Sequence, residues 1–294
     1  ISLKTKLTNL FDVTSKPKIE TKKNHSENFP SELLQGLATI GVAIISLGDQ
    51  ISQKMALHLY NTFLQFGSLG VRRAVPVGLG ILSASNPQIS IIEILSKLSH
   101  DTDSIIACNA IIGLGMVAAG TNNSRVSNLL RNLNVFYYNE SQHLFAVRLA
   151  QGLVHLGKGL MTLSPYRCEG DFLSPVSVSS LIIHAVLSLD VTNTYLSIDP
   201  HMFFWLVPCM KFRGLVTYDK DMKMIPVSVR VGQAVEDSTQ AGKSKKITGF
   251  QTQTTPILLN VNERVELATD KYIPYAHILE NIVLVKENPN STDL

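Results

Sequence analysis

The chain has 294 residues, of which 45% are hydrophobic and only 17% charged, against roughly 25% charged in ordinary globular domains. Its formal charge is +3, and the basic residues are neither numerous nor gathered in one place, which excludes a nucleic-acid-binding profile. Cys108, Cys168 and Cys209 lie far apart and form neither a metal spacing nor a disulfide framework, so a reducing compartment is expected. The longest apolar run, Leu37 to Leu47, falls short of the roughly 18 residues of a membrane span.

Residues 1–11 carry Leu3, Leu7, Leu10 and Phe11 and read as a short helix, part of a preceding unit. Ile1 in place of a methionine suggests a fragment of a longer chain, and Lys4 and Lys6 before a polar stretch give no leader-peptide pattern. Residues 12–31, with Ser15, Lys16, Pro17, Lys18, Glu20, Lys22 and Lys23, are expected to form a solvated linker.

The strongest pattern covers 32–160. The segments ATIGVAIISLG (38–48), VPVGLGILSAS (75–85), AIIGLGMVAAG (110–120) and VRLAQGLVHLG (147–157) align without a gap, at offsets of 37, 35 and 37 residues. The first small position holds Gly41, Gly78, Gly113 and Ala150; the second holds Ala43, Gly80, Gly115 and Gly152; the third holds Gly48, Ser85, Gly120 and Gly157. Glycine inside a helix costs about 1 kcal/mol relative to alanine. Its recurrence in register predicts helices that pass too close for a Cβ. The third position predicts the positive φ of a helix C-terminus.

Between these segments run amphipathic stretches: Ile51, Met55, Leu59, Phe63 and Phe66; Ile91, Leu95 and Leu98; Val126, Leu129, Leu130 and Leu133. Asn86-Pro87 and Asn122-Asn123 mark turns. Each unit therefore reads as helix, turn, helix, turn. One such pair cannot bury its apolar faces alone, whereas a stack can. The glycine-rich helices are expected in the enclosed layer and the amphipathic ones in the wetter layer.

Residues 161–211 are expected to close the stack. Pro165 and Pro175 bracket a connector, 176–190 look helical, and 195–209 hold Trp205 beside Phe203 and Phe204, as core or as a contact surface. From 212 to 289 the period changes to two. Strands are expected at 215–218, around Val227, Val229 and Val231, at 247–250, 256–259, 264–268 and 278–285, with turns at Gly242 and 260–262, a loop at 270–275 and a tail at 290–294. The fold class is mainly α: an α/α-hairpin repeat toroid or solenoid segment, followed by a small C-terminal β-rich domain.

Chemistry is hard to find. No histidine pair has metal-ligand spacing, and Asp101 and Asp103 after His100 read as capping residues rather than ligands. Cys108 reads as a small core residue. GLGILS and GLGMVA sit inside helical patterns, not after strands, so they are not dinucleotide loops. No catalytic residue, cofactor or metal site is expected. Arg72 and Arg73, at the entrance to the second glycine-rich helix, and Arg148 in the fourth either pair with a neighbouring repeat or dock an acidic segment of a partner.

The segments RRAVPVGLGILSASNP (72–87), GMVAAGTNNSR (115–125), RLAQGLVHLGKG (148–159), PVSVRVGQA (226–234) and ITGFQTQTTPILL (247–259) carry a resemblance. The chain resembles the proteasome/cyclosome-repeat family, found in the large scaffold subunits of the 26S proteasome regulatory particle and in the largest subunit of the anaphase-promoting complex. The two segments beyond the repeats direct the likeness to the smaller of the proteasomal scaffolds. The resemblance implies a non-catalytic scaffold in the base of the particle, beside the ATPase subunits and other base subunits. It implies docking of ubiquitin, ubiquitin-like shuttle factors and a deubiquitinase by the full-length toroid, in cytoplasm and nucleus, with no nucleic acid and no membrane. A helical-repeat adaptor outside the proteasome is the alternative.

Overall fold

The computed structural model describes residues 29–47, 49–167, 172–189, 200–235, 246–260 and 263–290. The helix expected over 1–11 lies outside them, as do Gly48, Cys168, Gly242 and most of the linker expected over 12–31. The end of that linker is corrected: a helix is already under way at Phe29. The chain divides into two compact units, one formed by the helical part up to 159 with 163–165 and 175–210, the other by 160–162, 166–174 and the residues from 211 onward.

In the first unit, helices α1 (Phe29–Ile45), α2 (Gln50–Phe66), α3 (Leu69–Leu82), α4 (Ile89–Leu98), α5 (Ser104–Val117), α6 (Ser124–Phe136) and α7 (Ser141–Val154) follow one another. The starts of α2, α5 and α6 are set by short polar residues that the sequence places there. Asp49 accepts from the N–H groups of Ile51 and Ser52, Asp103 from Ile105, and Asn123 from Arg125 and Val126. Such a cap stabilises by about 1 kcal/mol. The odd-numbered helices pack on one another in order, α1 on α3, α3 on α5, α5 on α7, and each even-numbered helix packs on the odd one after it.

Burial follows that layering. α5 is buried continuously from Ile106 to Val117. In α4 and α6 the expected apolar stripe supplies the buried residues Ile91, Leu95, Val126, Leu130 and Leu133. The stripe expected on α2 is corrected: Ile51, Met55 and Phe66 are 70%, 68% and 82% exposed, and the packing face is Ala56 and Tyr60 instead. Periodicity identifies a face but not its neighbour. Tyr60 wins because its hydroxyl reaches the Thr39 carbonyl at 3.0 Å while its ring lies against α3.

Beyond α7 come a left-handed turn (Leu156–Gly159), helix α8 (Pro175–Ser188) and a 3₁₀ segment (Pro200–Cys209) that packs on α8. The Ser177 hydroxyl donates to the Pro208 carbonyl at 3.0 Å. Leu206 and Cys209 are buried there, whereas Phe204 and Trp205 face outward. The region expected to be closing helices also holds short strands, β1 (Met161–Leu163), β2 (Tyr166–Arg167), β3 (Phe172–Leu173) and β4 (Met210–Phe212).

The second unit contains β5 (Leu215–Tyr218), β6 (Ser228–Val235), β7 (Lys246–Thr254), β8 (Glu263–Leu267), β9 (Tyr272–Pro274) and β10 (Asn281–Glu287). One sheet runs β5–β10–β9, with β5 and β10 parallel; the other runs β7–β6–β8, all antiparallel. Val227, Val229 and Val231 turn to one side and pack with Leu215, Val265, Val283 and Val285, as alternation on a half-buried strand requires. Three expectations are corrected. Residues 256–259 form no strand, since Pro256 cannot donate to a ladder; only Ile257 makes an isolated bridge, to Leu215. The loop expected at 270–275 contains β9, too short at three residues to show a period. The last strand begins at Asn281, and Leu279 joins the core from outside it.

Candidate functional site

The small residues of the repeat lie where the odd-numbered helices cross. A Cβ built on Gly80 would come within 3.2 Å of the Gly113 Cα, and one on Gly115 within 2.8 Å of the Ala150 Cα. The second small position of one repeat thus faces the first small position of the next. Gly113 itself lies against the Pro76 carbonyl, 2.8 Å from such a Cβ, and Gly78 makes room for the Tyr60 hydroxyl at 2.7 Å. Ala43 is fully buried in α1, and Gly41 half-buried. Gly152 stands apart. A Cβ there would meet nothing within 4 Å, so close approach gives no reason for it. Two further contacts fall outside the aligned segments. A Cβ on Gly70 would sit 2.5 Å from the Glu32 carbonyl, and one on Gly36 would sit 3.3 Å from the Gly70 carbonyl. Their separation of 34 residues, close to the repeat spacing, is the signal that could have found them.

The third small position turns the chain. Ser85, Gly120 and Gly157 have φ of 54°, 67° and 56°. That turn aims backbone donors at the next repeat: Ser85 N–H donates to the Met116 carbonyl and Gly120 N–H to the Leu153 carbonyl, both at 3.0 Å. These bonds add a donor from the preceding repeat to carbonyls in the last turn of a helix, beside the local N–H groups of Ala119 and His155. Pro76 inside α3 lacks its own N–H, and the Asn109 side chain of α5 donates to the nearby Arg73 carbonyl at 3.0 Å.

The arginines are not equivalent. Arg73 Nε donates to Asp103 Oδ2 at 2.8 Å, and Arg72 lies 3.6 Å from Asp101. Both partners belong to the following repeat, and Asp103 is also the α5 cap. Arg148 is exposed and has no ion-pair partner among the described residues.

One cluster has the outline of a hydrolytic triad. Ser104 Oγ lies 3.4 Å from His143 Nε2, and His143 Nδ1 lies 2.7 Å from Glu140 Oε2. The first distance is at the long limit of a hydrogen bond. The Ile105 N–H beside the hydroxyl, which an oxyanion would need, is already given to Asp103. The His143 ring stacks on Tyr137 at 4.4 Å, and the Tyr137 hydroxyl donates to the Ser99 carbonyl at 2.6 Å. The cluster thus ties α4, α5, α6 and α7 together. Burial pulls the His143 pKa below its ordinary value, against the opposing pull of Glu140. Burial, aided by the Glu140 charge, pushes the Cys108 thiol up to about 12, far from a reactive thiolate. Among the described residues no group of His, Cys, Asp and Glu could hold a metal ion, and no helix is long and apolar enough to cross a membrane.

What the unit does present is outward apolar surface on the even-numbered helices: Ile51, Met55 and Phe66 on α2, and Val135, Phe136 and the adjacent Tyr138 at the end of α6. Sequence patterning read the first set as the apolar stripe of an amphipathic helix in the wetter layer, to be buried by stacking.

Comparison with known proteins adds the following. Residues 239–291 match the model of the 26S proteasome non-ATPase regulatory subunit RPN1 C-terminal family. The 26S proteasome non-ATPase regulatory subunit 2 of Dictyostelium discoideum is 50% identical over 257 residues, 87% of this chain. Homolog A of the same subunit in Arabidopsis thaliana is 46% identical over 88% of the chain. The 26S proteasome regulatory subunit rpn1 of Schizosaccharomyces pombe is 43% identical over 89%. The chain spans about 29% of the length of each of these relatives.

Proposed function

We propose, for a chain that belongs to the family of 26S proteasome non-ATPase regulatory subunit 2, that it acts as a non-catalytic scaffold in the base of the regulatory particle. The observation that carries this reading is the contact of small residue with small residue between successive repeats, Gly80 with Gly113 and Gly115 with Ala150. It fixes the spacing of the helices by backbone geometry. A stack fixed in that way holds an extended surface in place, which is what a docking platform needs. The outward apolar residues of α2 and α6 are the contacts such a platform offers to ATPase subunits and other base subunits. Ubiquitin, ubiquitin-like shuttle factors and a deubiquitinase are proposed to dock on the longer protein to which this segment belongs. Its proposed location is cytoplasm and nucleus.

Crosslinking mass spectrometry of the assembled particle tests the reading. Crosslinks from residues 50–66 and 212–285 to ATPase subunits are the expected result. Ile51→Ser with Phe66→Ser is expected to weaken co-purification of those subunits without unfolding the stack. A full-length protein that purifies free of ATPase subunits would overturn the reading in favour of a helical-repeat adaptor elsewhere.

A further inference from the structure

In the second unit, β7 is the outermost strand of the sheet β7–β6–β8. Its inner edge pairs with β6 from Ser228–Thr254 to Val235–Lys246, and among the described residues no strand pairs with its outer edge. An open edge carries a row of N–H and C=O groups that pairs with any extended chain, so proteins blunt such edges with charge, proline or a bulge. β7 has those devices only in its first half: the left-handed Gly249 and the register shift between Val231 and Gln233. Phe250-Gln251-Thr252-Gln253-Thr254 has no charge and no proline, and all five residues are exposed. This is about 17 Å of unprotected edge at the rise of a strand.

The two faces of this edge differ. Gln251 and Gln253 pair with Val231 and Val229 and so share their side. There they line a groove of about 260 Å³ with Gln233, Leu258, Asn260 and Glu263. The carboxamides of such a wall both donate and accept, matching uncharged polar side chains. On the opposite side the Arg230 guanidinium sits 5.3 Å over the exposed Phe250 ring, a pairing that suits an aromatic or an acidic side chain.

We propose that the outer edge of β7 over Phe250–Thr254 takes up an extended segment of a partner protein as an added strand. The segment alternates uncharged polar residues, entering the groove, with aromatic or acidic residues, lying on Phe250 and Arg230. Main-chain hydrogen bonds supply the affinity and the two unlike faces supply the selectivity. This site lies in the β unit, and its test uses the chain alone, so it stands or falls separately from assembly into the proteasome.

The probe is the capped peptide Glu-Gln-Tyr-Gln-Glu-Gln-Tyr-Gln, titrated into the full chain by fluorescence anisotropy, with amide hydrogen exchange read over β7. The expected result is saturable binding and slowed exchange confined to 250–254. Gln253→Lys places a charge on the edge; with an unchanged melting temperature, it is expected to weaken binding at least about tenfold, roughly 1.4 kcal/mol. The same peptide with alternate backbone nitrogens methylated is expected not to bind. Three results would overturn the proposal: no binding at about 1 mM peptide, equal affinity for the variant, or protection of 250–254 without peptide that grows with protein concentration. The last would mark the edge as a contact between copies of this chain.

Discussion

In the repeat unit, α3, α5 and α7 meet at Gly80, Gly113, Gly115 and Ala150, where backbone lies against backbone. In the β unit the sheets meet through Leu215, Val229, Val283 and Val285, whose branched side chains fill the space between them. The first contact has only the Ala150 methyl group to lose and no room to gain another. The second depends on the volume of its side chains. One is therefore broken by growth and the other by shrinkage, although both are buried.

Enlargement in the repeat unit carries the largest expected effect. Gly113→Val must displace the Pro76 carbonyl, 2.8 Å from the first added carbon, and crowd Leu95. A loss of about 3 kcal/mol is expected, the upper end for an overpacked core. Urea unfolding with exchange resolved by unit checks it, and the loss is expected in the repeat unit alone. The counterpart is Val283→Ala, which empties volume where Val283 is 1% exposed. A loss of about 2 kcal/mol is expected there, and a larger loss than for Gly113→Val would break the comparison.

Ties between repeats should weigh less than their crossings. Arg73→Ala removes the partner of Asp103, both only partly exposed, and should lower stability by about 1 kcal/mol. A double-mutant cycle with Asp103→Asn measures the coupling directly. The smallest effect is expected from acid. The His143 pKa is lowered in the folded chain, so the unfolded state takes up the proton first. The stabilisation is complete above the unfolded pKa near 6.5 and is lost as pH falls below it. The melting temperature of the parent chain should fall between about pH 7.5 and about pH 5.5. His143→Phe, which keeps the stacking on Tyr137, should flatten that fall.

Much of this arrangement was legible in advance. A backbone crossing can be made only by small residues, so it leaves a mark at fixed positions such as 78, 113 and 150. Left-handed turns leave a similar mark at 85, 120 and 157. Alternating valines at 227, 229 and 231 disclosed one sheet face. The outward side of α2 was illegible, because Ile51 and Met55 carry the same hydropathy whether they meet a core or a partner. β9 was too short to show alternation. The pairing of Ser104, Glu140 and His143 depends on helices brought together by packing, which spacing along the chain does not encode. Gly36 and Gly70 were missed because their neighbours do not align, although their own separation fits the repeat.

Small residues occupy the helix crossings because a Cβ has no space there. Gly115→Ala and Gly152→Ala add the same methyl group to α5 and α7, at the same repeat position, 37 residues apart. A Cβ on the first meets Ala150 at 2.8 Å and one on the second meets nothing within 4 Å. Equilibrium unfolding of the two variants is the direct test. Gly115→Ala is expected to lose about 1–3 kcal/mol through overpacking, and Gly152→Ala to be neutral or to gain up to about 1 kcal/mol from helix propensity. Equal changes in the two variants, or a gain in Gly115→Ala, would contradict the account.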